Sequence, residues 1–239
     1  MRGYLAAALI VALMAGIGSC SGGSERTIVP SPTFGPGAEP VQLDAAEQYA
    51  HDRLSTMTLA QKVLSMLMVH VPGTQPAIDA PLAYDGVGGF ILMGDNIPGS
   101  LTQLSDETAA LSNEPGLPVL VATDQEGGIV RRVPTDSANS AAELRSLEPQ
   151  ATFDAFAQRG ALLESVGVSV NFGVVADIAS DRSSFIFSRS FGSTGTDAAA
   201  RVAQAVAGES QVLSTLKHFP GHGRLPATPI RVSRPQLCR

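Results

Sequence analysis

The sequence predicts a parallel α/β domain, and three observations carry that reading. Short apolar runs alternate with helix-like stretches, the runs are apolar at nearly every position, and the chemistry-bearing polar residues follow directly after them. Strands that are hydrophobic throughout are buried on both faces, the condition of a parallel sheet covered by helices. In such folds ligands gather at the C-terminal ends of the strands. The 239 residues suffice for a large core. With 16 Lys and Arg against 22 Asp and Glu, and few aromatics, the chain lacks the basic face of a nucleic-acid binder. A hydrophobic content of 44% excludes wholesale disorder. Two cysteines cannot make a disulfide framework or a Cys₄ zinc site.

The N-terminus reads as an address. Arg2 precedes an apolar run from Leu5 to Ile17, which suits an export signal but would cross only about two thirds of a bilayer core as a helix. Ile17-Gly18-Ser19-Cys20 has the form of a lipobox, so residues 1–19 are expected to be a lipoprotein signal peptide and Cys20 its lipidation site. An ordinary signal with an incidental cysteine is the alternative. The only possible disulfide partner is Cys238, which favours the lipid. Several acyl chains on one residue would hold an exported protein on the outer face of the cell membrane. Residues 20–40, rich in Ser, Gly, Pro and Thr, cannot bury a core and read as a flexible tether.

The body then alternates. Asp44 to Met57 is helix-like, and Thr58-Leu59-Ala60-Gln61 has capping-box spacing that opens a second helix toward Met68. Val87 to Met93 is an apolar strand, and Leu101, Leu104, Thr108 and Leu111 recur at helical spacing. Pro118 to Thr123 is the next strand. Phe153, Phe156, Ala157, Gly160 and Leu163 form a helical stripe. Val168 to Val175 is a strand, Asp197 to Ala207 an alanine-rich helix, and Val212 to Leu216 a strand again. Gly86-Val87-Gly88-Gly89 imitates a dinucleotide fingerprint but precedes its strand, so it reads as a turn.

Three segments carry the chemistry. Asp124-Gln125-Glu126-Gly127-Gly128-Ile129-Val130-Arg131-Arg132 leaves a buried strand with two carboxylates and two guanidinium groups. A carboxylate there loses water and needs donors, from Arg132 or from a sugar's hydroxyl pair. A strand-end turn with solvated charges fits this segment equally well. Lys217-His218-Phe219-Pro220-Gly221-His222-Gly223 is more distinctive. His218 and His222 have zinc-like spacing for a helix, but Pro220 and the glycines forbid the helix and no further ligand completes a set, so no metal is expected. Lys217 and His218 read as directional donors to an uncharged, oxygen-rich ligand, and His222 as a structural partner. Arg189, in Ser188-Arg189-Ser190-Phe191-Gly192, offers a rigid fork of donors. Read alone, it fits equally a loop salt bridge to Asp177 or Asp181.

In this order the motifs resemble glycoside hydrolase family 3, specifically its bacterial β-N-acetylhexosaminidases. Lys217 to Gly223 is the most distinctive segment, with Gln61-Lys62-Val63 and Met66-Leu67-Met68-Val69 in the opening helix. The resemblance implies a TIM-type (β/α)₈ barrel over residues 41–224, incomplete at the C-terminus. It implies no cofactor, and cleavage of terminal β-linked N-acetylglucosamine from peptidoglycan-derived or related glycans in cell-wall turnover. It makes Asp124, Arg132, Arg189, Lys217 and His218 the residues that grip the terminal sugar. With the lipobox, the chain is similar to actinobacterial cell-wall hexosaminidase lipoproteins.

After Gly223 the pattern departs from the family. The family continues with an Asp-Ser-His segment supplying an acid/base dyad, and later an aspartate nucleophile. Here residues 224–239 contain Arg and Pro but no carboxylate. The expected catalytic groups are therefore absent from this chain. A reading-frame slip would account for the tail 225–239. Ala227-Thr228-Pro229-Ile230 can be written in codons whose adjacent frame, after a G from Pro226, reads Gly-Asp-Ser-His; the nucleotide sequence decides this. The stretch 41–224 is also shorter than the roughly 250 residues of a complete barrel, which predicts an exposed edge strand and poor solubility. A sugar-binding lipoprotein without catalysis is the alternative function.

Overall fold

A computed structural model describes residues 44–74, 81, 85–111 and 119–222. The signal peptide 1–19, Cys20, the tether 20–40, Pro118 and the segment 223–239 lie outside the described residues. The chain divides into two units, Met1–Gln48 and Tyr49–Arg239. In the first, Asp44 Oδ1 accepts from the backbone N–H groups of Ala46 and Glu47 at 2.9 and 2.8 Å, starting helix α1 (Ala45–Thr56).

In the second unit, Thr58 and Gln61 form the expected capping box and open α2 (Leu59–Leu64). The helix does not reach Met68, contrary to the sequence reading. Met68–Val69 is instead strand β1, paired in parallel with Gly89–Phe90 of β2 (Gly89–Leu92). Tertiary pairing overrides helical continuation here. The Leu64 and Leu67 carbonyls accept from the N–H groups of Gly88 and Gly89 at 3.3 and 3.1 Å. Gly88 is required at this approach, because a side chain on it would collide with the Ser65 carbonyl.

Helix α3 (Leu101–Leu111) buries Leu104, Thr108 and Leu111, and Thr108 Oγ1 donates to the Val166 carbonyl at 2.8 Å. Strand β3 (Leu120–Thr123) leads into a hairpin, β4 (Gln125–Gly127) and β5 (Val130–Arg131), that the sequence reading did not anticipate. Positive φ at Gly127 and Gly128 (83° and 64°) turns it. Gln125, fully buried, ties it down. Its Oε1 accepts from the N–H groups of Arg132 and Val133, both at 2.9 Å, and its Nε2 donates to Asp136 Oδ2 at 2.9 Å. Its own backbone N–H donates to Asn171 Oδ1 at 3.0 Å.

Short helix α4 (Ala141–Leu144) opens on a Ser140–Glu143 capping box, whose hydrogen bonds hold the Glu143 carboxyl below the usual range. Arg201 donates to the Leu144, Arg145 and Leu147 carbonyls at and just past its other end, at 3.0, 3.0 and 2.7 Å. We expect Ser140→Ala to lower unfolding free energy by about 1 kcal/mol, read from the urea midpoint at constant slope.

Helix α5 (Pro149–Ser165) buries Thr152, Ala155, Phe156, Arg159, Gly160 and Leu163. The buried face is thus rotated from the apolar stripe expected, with Phe153 and Ala157 at its margin and a charged Arg159 within it. Strand β6 (Val170–Val175), helix α6 (Gly195–Gly208) and strand β7 (Leu213–Lys217) complete the order.

The main sheet is five-stranded in the order β1-β2-β3-β6-β7, with every pair parallel. Among the described residues it is an open sheet, with Leu213 and Leu216 of β7 exposed at one edge. One core cluster joins Phe90, Leu92, Leu104, Val121 and Leu163; another joins Leu144, Phe156, Val174 and Phe191. A buried polar chain runs from Arg159 through Asp136, Gln125 and Asn171 to Glu209. Arg159 Nε meets Asp136 Oδ2 at 2.7 Å, and Asn171 Nδ2 donates to Glu209 Oε2 at 2.7 Å. Burial pushes the Glu209 carboxyl up to about 7, against the opposing pull of Ser214, Asn171 and the Arg159 charge.

Candidate functional site

Parallel pairing decides where the polar strand endings meet. Thr123 of β3 lies opposite Asn171 of β6, and Val175 of β6 opposite Lys217 of β7. Asp124, directly after β3, and Asp177, two residues after β6, therefore emerge with Lys217 and His218 at the C-terminal ends of the strands. The loop after β6 adds Arg189 from a 3₁₀ turn, Phe187–Arg189. Arg145 fastens that loop, donating to the Ala179 carbonyl, Ser190 Oγ and the Gly192 carbonyl at 2.9, 2.8 and 3.0 Å. Its guanidinium also lies 4.0 Å above the Phe187 ring.

All five residues singled out in the sequence come together. Lys217 Nζ donates to Asp124 Oδ1 at 2.7 Å and lies 2.5 Å from Glu126 Oε1. Arg189 grips Glu126 in a two-point fork, Nε to Oε2 and Nη2 to Oε1, both at 2.7 Å. That shared carboxylate raises the Arg189 pKa above its ordinary value, although burial opposes it. Arg132 Nη2 stands 3.8 Å from Asp124 Oδ2, and its buried Nε has no hydrogen-bond partner among the described residues. His218 Nδ1 lies 2.5 Å from Asp177 Oδ2. The ring of His222 packs edge-on against the rings of His218 and Phe185, with centroids 4.5 and 5.2 Å apart.

The partners differ from those expected. Asp124 takes its close donor from Lys217, with Arg132 the more distant cation. Arg189 pairs with Glu126, not with Asp177 or Asp181. Lysine and arginine must find carboxylates when half-buried, and Glu126 on the hairpin is the carboxylate within reach. Asp177, which sequence reasoning treated only as a possible salt-bridge partner, accepts from the backbone N–H groups of His218 and His222 and lies against the His218 ring. Its signal was its place two residues beyond an apolar strand, close to the signal that marked Asp124.

A fully parallel sheet whose strand ends carry a charged cluster of this kind is the arrangement of a TIM-type α/β domain. The chain belongs to glycosyl hydrolase family 3: residues 58–228 match the glycosyl hydrolase family 3 N terminal domain. Beta-hexosaminidase LpqI of Mycobacterium tuberculosis is 32% identical over 92% of this chain and 57% of its own length. An uncharacterized secreted glycosyl hydrolase of Arthroderma benhamiae is 36% identical over 69% of this chain and 50% of its own. In three dimensions the chain is similar to a glycoside hydrolase family 3 beta-N-acetylglucosaminidase from Paenibacillus sp. str. FPU-7. The TM-score is 0.65 at 30% identity, covering 70% of this chain and 34% of that one. The chain spans about half the length of these two curated relatives.

Proposed function

We propose that this site holds the terminal N-acetylglucosamine of a β-linked glycan, in a β-N-acetylhexosaminidase-type glycoside hydrolase working on peptidoglycan-derived or related chains. One observation carries the reading: the balance of charge in the cluster. Asp124, Glu126 and Asp177 offset Arg132, Arg189 and Lys217, leaving a dense array of directional groups with no net charge to select an ion. Such an array suits an uncharged polyol, whose hydroxyls both donate and accept. The names of the hexosaminidase and glucosaminidase relatives support the amino sugar. The secreted relative supports export, with residues 1–19 as signal peptide, Cys20 as lipid anchor to the outer face of the membrane and 20–40 as tether. Residues 41–224 then form the sugar-holding domain and 225–239 an aberrant tail, although the family match runs on to residue 228.

We further propose that this chain grips the sugar without cleaving it. A retaining glycosidase needs a nucleophile and an acid/base group on opposite sides of the bond. Asp124, Glu126 and Asp177 are engaged by cations or by N–H groups, as groups that hold a substrate in place are. Isothermal calorimetry with N-acetylglucosamine, run beside release of 4-nitrophenol from its β-glycoside, tests both statements. We expect binding without turnover. Robust hydrolysis would overturn the non-cleaving reading, and absence of binding would overturn the sugar site.

A further inference from the structure

We infer that Asp177 is a positioning residue that decides which nitrogen of His218 a ligand meets, leaving Nε2 as a hydrogen-bond acceptor for a sugar hydroxyl. The inference rests on the amino-sugar reading of the site only for the identity of that ligand.

The geometry comes first. The Asp177 side chain is completely buried, yet no lysine or arginine pairs with it among the described residues. Its partners all belong to one short segment. Oδ2 receives the His218 ring at Nδ1 (2.5 Å) and the His218 backbone N–H (3.2 Å), while Oδ1 receives the His222 backbone N–H at 2.5 Å. One carboxylate just beyond the end of β6 thus holds both ends of the loop that follows β7.

The proton assignment follows from donor counting. A backbone N–H donates to each Asp177 oxygen, from His218 at Oδ2 and from His222 at Oδ1; burial works to raise the Asp177 pKa, but the hydrogen bonds from the His218 ring and these two N–H groups hold it below the ordinary aspartate value. An ionised carboxylate only accepts, so Nδ1 must carry a hydrogen. In the neutral imidazole the other nitrogen is then bare. Nε2 makes no hydrogen bond among the described residues, and 27% of the His218 side chain is open to solvent.

The surrounding groups give that bare nitrogen its use. Arg132, Arg189 and Lys217 are donors only; Arg189 and Lys217 take both oxygens of Glu126, and Lys217 takes Asp124 Oδ1, which leaves Asp124 Oδ2, 3.8 Å from Arg132, as the acceptor these two carboxylates still offer among the described residues. A hydroxyl that accepts from one of these cations must still place its own proton. His218 Nε2 provides an acceptor that adds no charge. The sequence reading made His218 a donor; the contact with Asp177 reverses that role.

The test uses the full chain labelled with ¹⁵N histidine, in which only four imidazoles contribute. His218→Gln assigns the signals, and long-range ¹H–¹⁵N spectra at pH 8 distinguish protonated from bare ring nitrogens. We expect a protonated Nδ1 and a bare Nε2 at His218, with Nε2 moving on addition of N-acetylglucosamine. Asp177→Asn, which presents an amide donor to the ring, is expected to shift the tautomer toward Nε2–H. It should also weaken sugar binding about 10- to 100-fold. A wild-type spectrum with Nε2 protonated and Nδ1 bare overturns the proposal, as does an Asp177→Asn variant with unchanged tautomer and affinity. Should that variant fail to fold, the wild-type spectrum alone decides. The expected tautomer without any response to sugar upholds the role of Asp177 and removes the amino-sugar reading instead.

Discussion

Glu126→Ala is expected to destabilise the chain by about 3–5 kcal/mol and to abolish sugar binding. Glu126 is 3% exposed, and its two oxygens hold Arg189 at two points and Lys217 at a third. Alanine would leave two cations largely out of water without their shared counter-charge, the most unfavourable way to break a buried pair. Lys217 would keep Asp124, so most of the loss should come from Arg189. Glu126→Gln preserves the shape and one acceptor oxygen and should lose less than half as much. Urea denaturation followed by circular dichroism gives the first quantity and calorimetry the second. An alanine variant whose stability matches that of the parent would show that the fork to Arg189 contributes little.

Glu209 should dominate the pH dependence of stability above pH 4.5. Its folded pKa of about 7 lies above its ordinary value of 4.5. Folding therefore favours the protonated form, and the associated stability is complete below pH 4.5 and lost as pH rises through 7. The shift amounts to about 3 kcal/mol between those limits. Asp177 acts oppositely. Its folded pKa is lowered, so its contribution is present above its unfolded value of 3.8 and lost as pH falls below it. Stability should thus peak near pH 4.5, between the two. Glu209→Gln should flatten the fall toward neutrality, making the variant the more stable protein at about pH 7.5. A wild-type chain equally stable at about pH 5 and about pH 7.5 would contradict this account.

The parallel sheet and the strand ends that bear the site were legible because apolar runs such as Leu120 to Thr123 end abruptly in charge, whereas the two-residue strand Met68–Val69 was not. The capping box at Thr58 was legible because it is local. What escaped notice depends on long-range pairing. Gln125 to Gly127 and Val130 to Arg131 are too short to show alternation, so the hairpin that delivers Glu126 gave no signal. Arg159 sits on the face of its helix that turns inward because Asp136, 23 residues earlier, waits there; periodicity alone places an arginine outside. The partners of Arg189 and His218 were hidden for the same reason, since sequence spacing says nothing about which carboxylate a folded loop will reach.

The Gln125 side chain has a thermodynamic consequence. By substituting for a neighbouring strand, it leaves the recognition hairpin almost no slack before a ligand arrives. Capture should then freeze little of the protein, and the entropy surrendered should be chiefly the sugar's own. Loosening this amide should accordingly weaken affinity through the entropic component while leaving the contact enthalpy nearly intact.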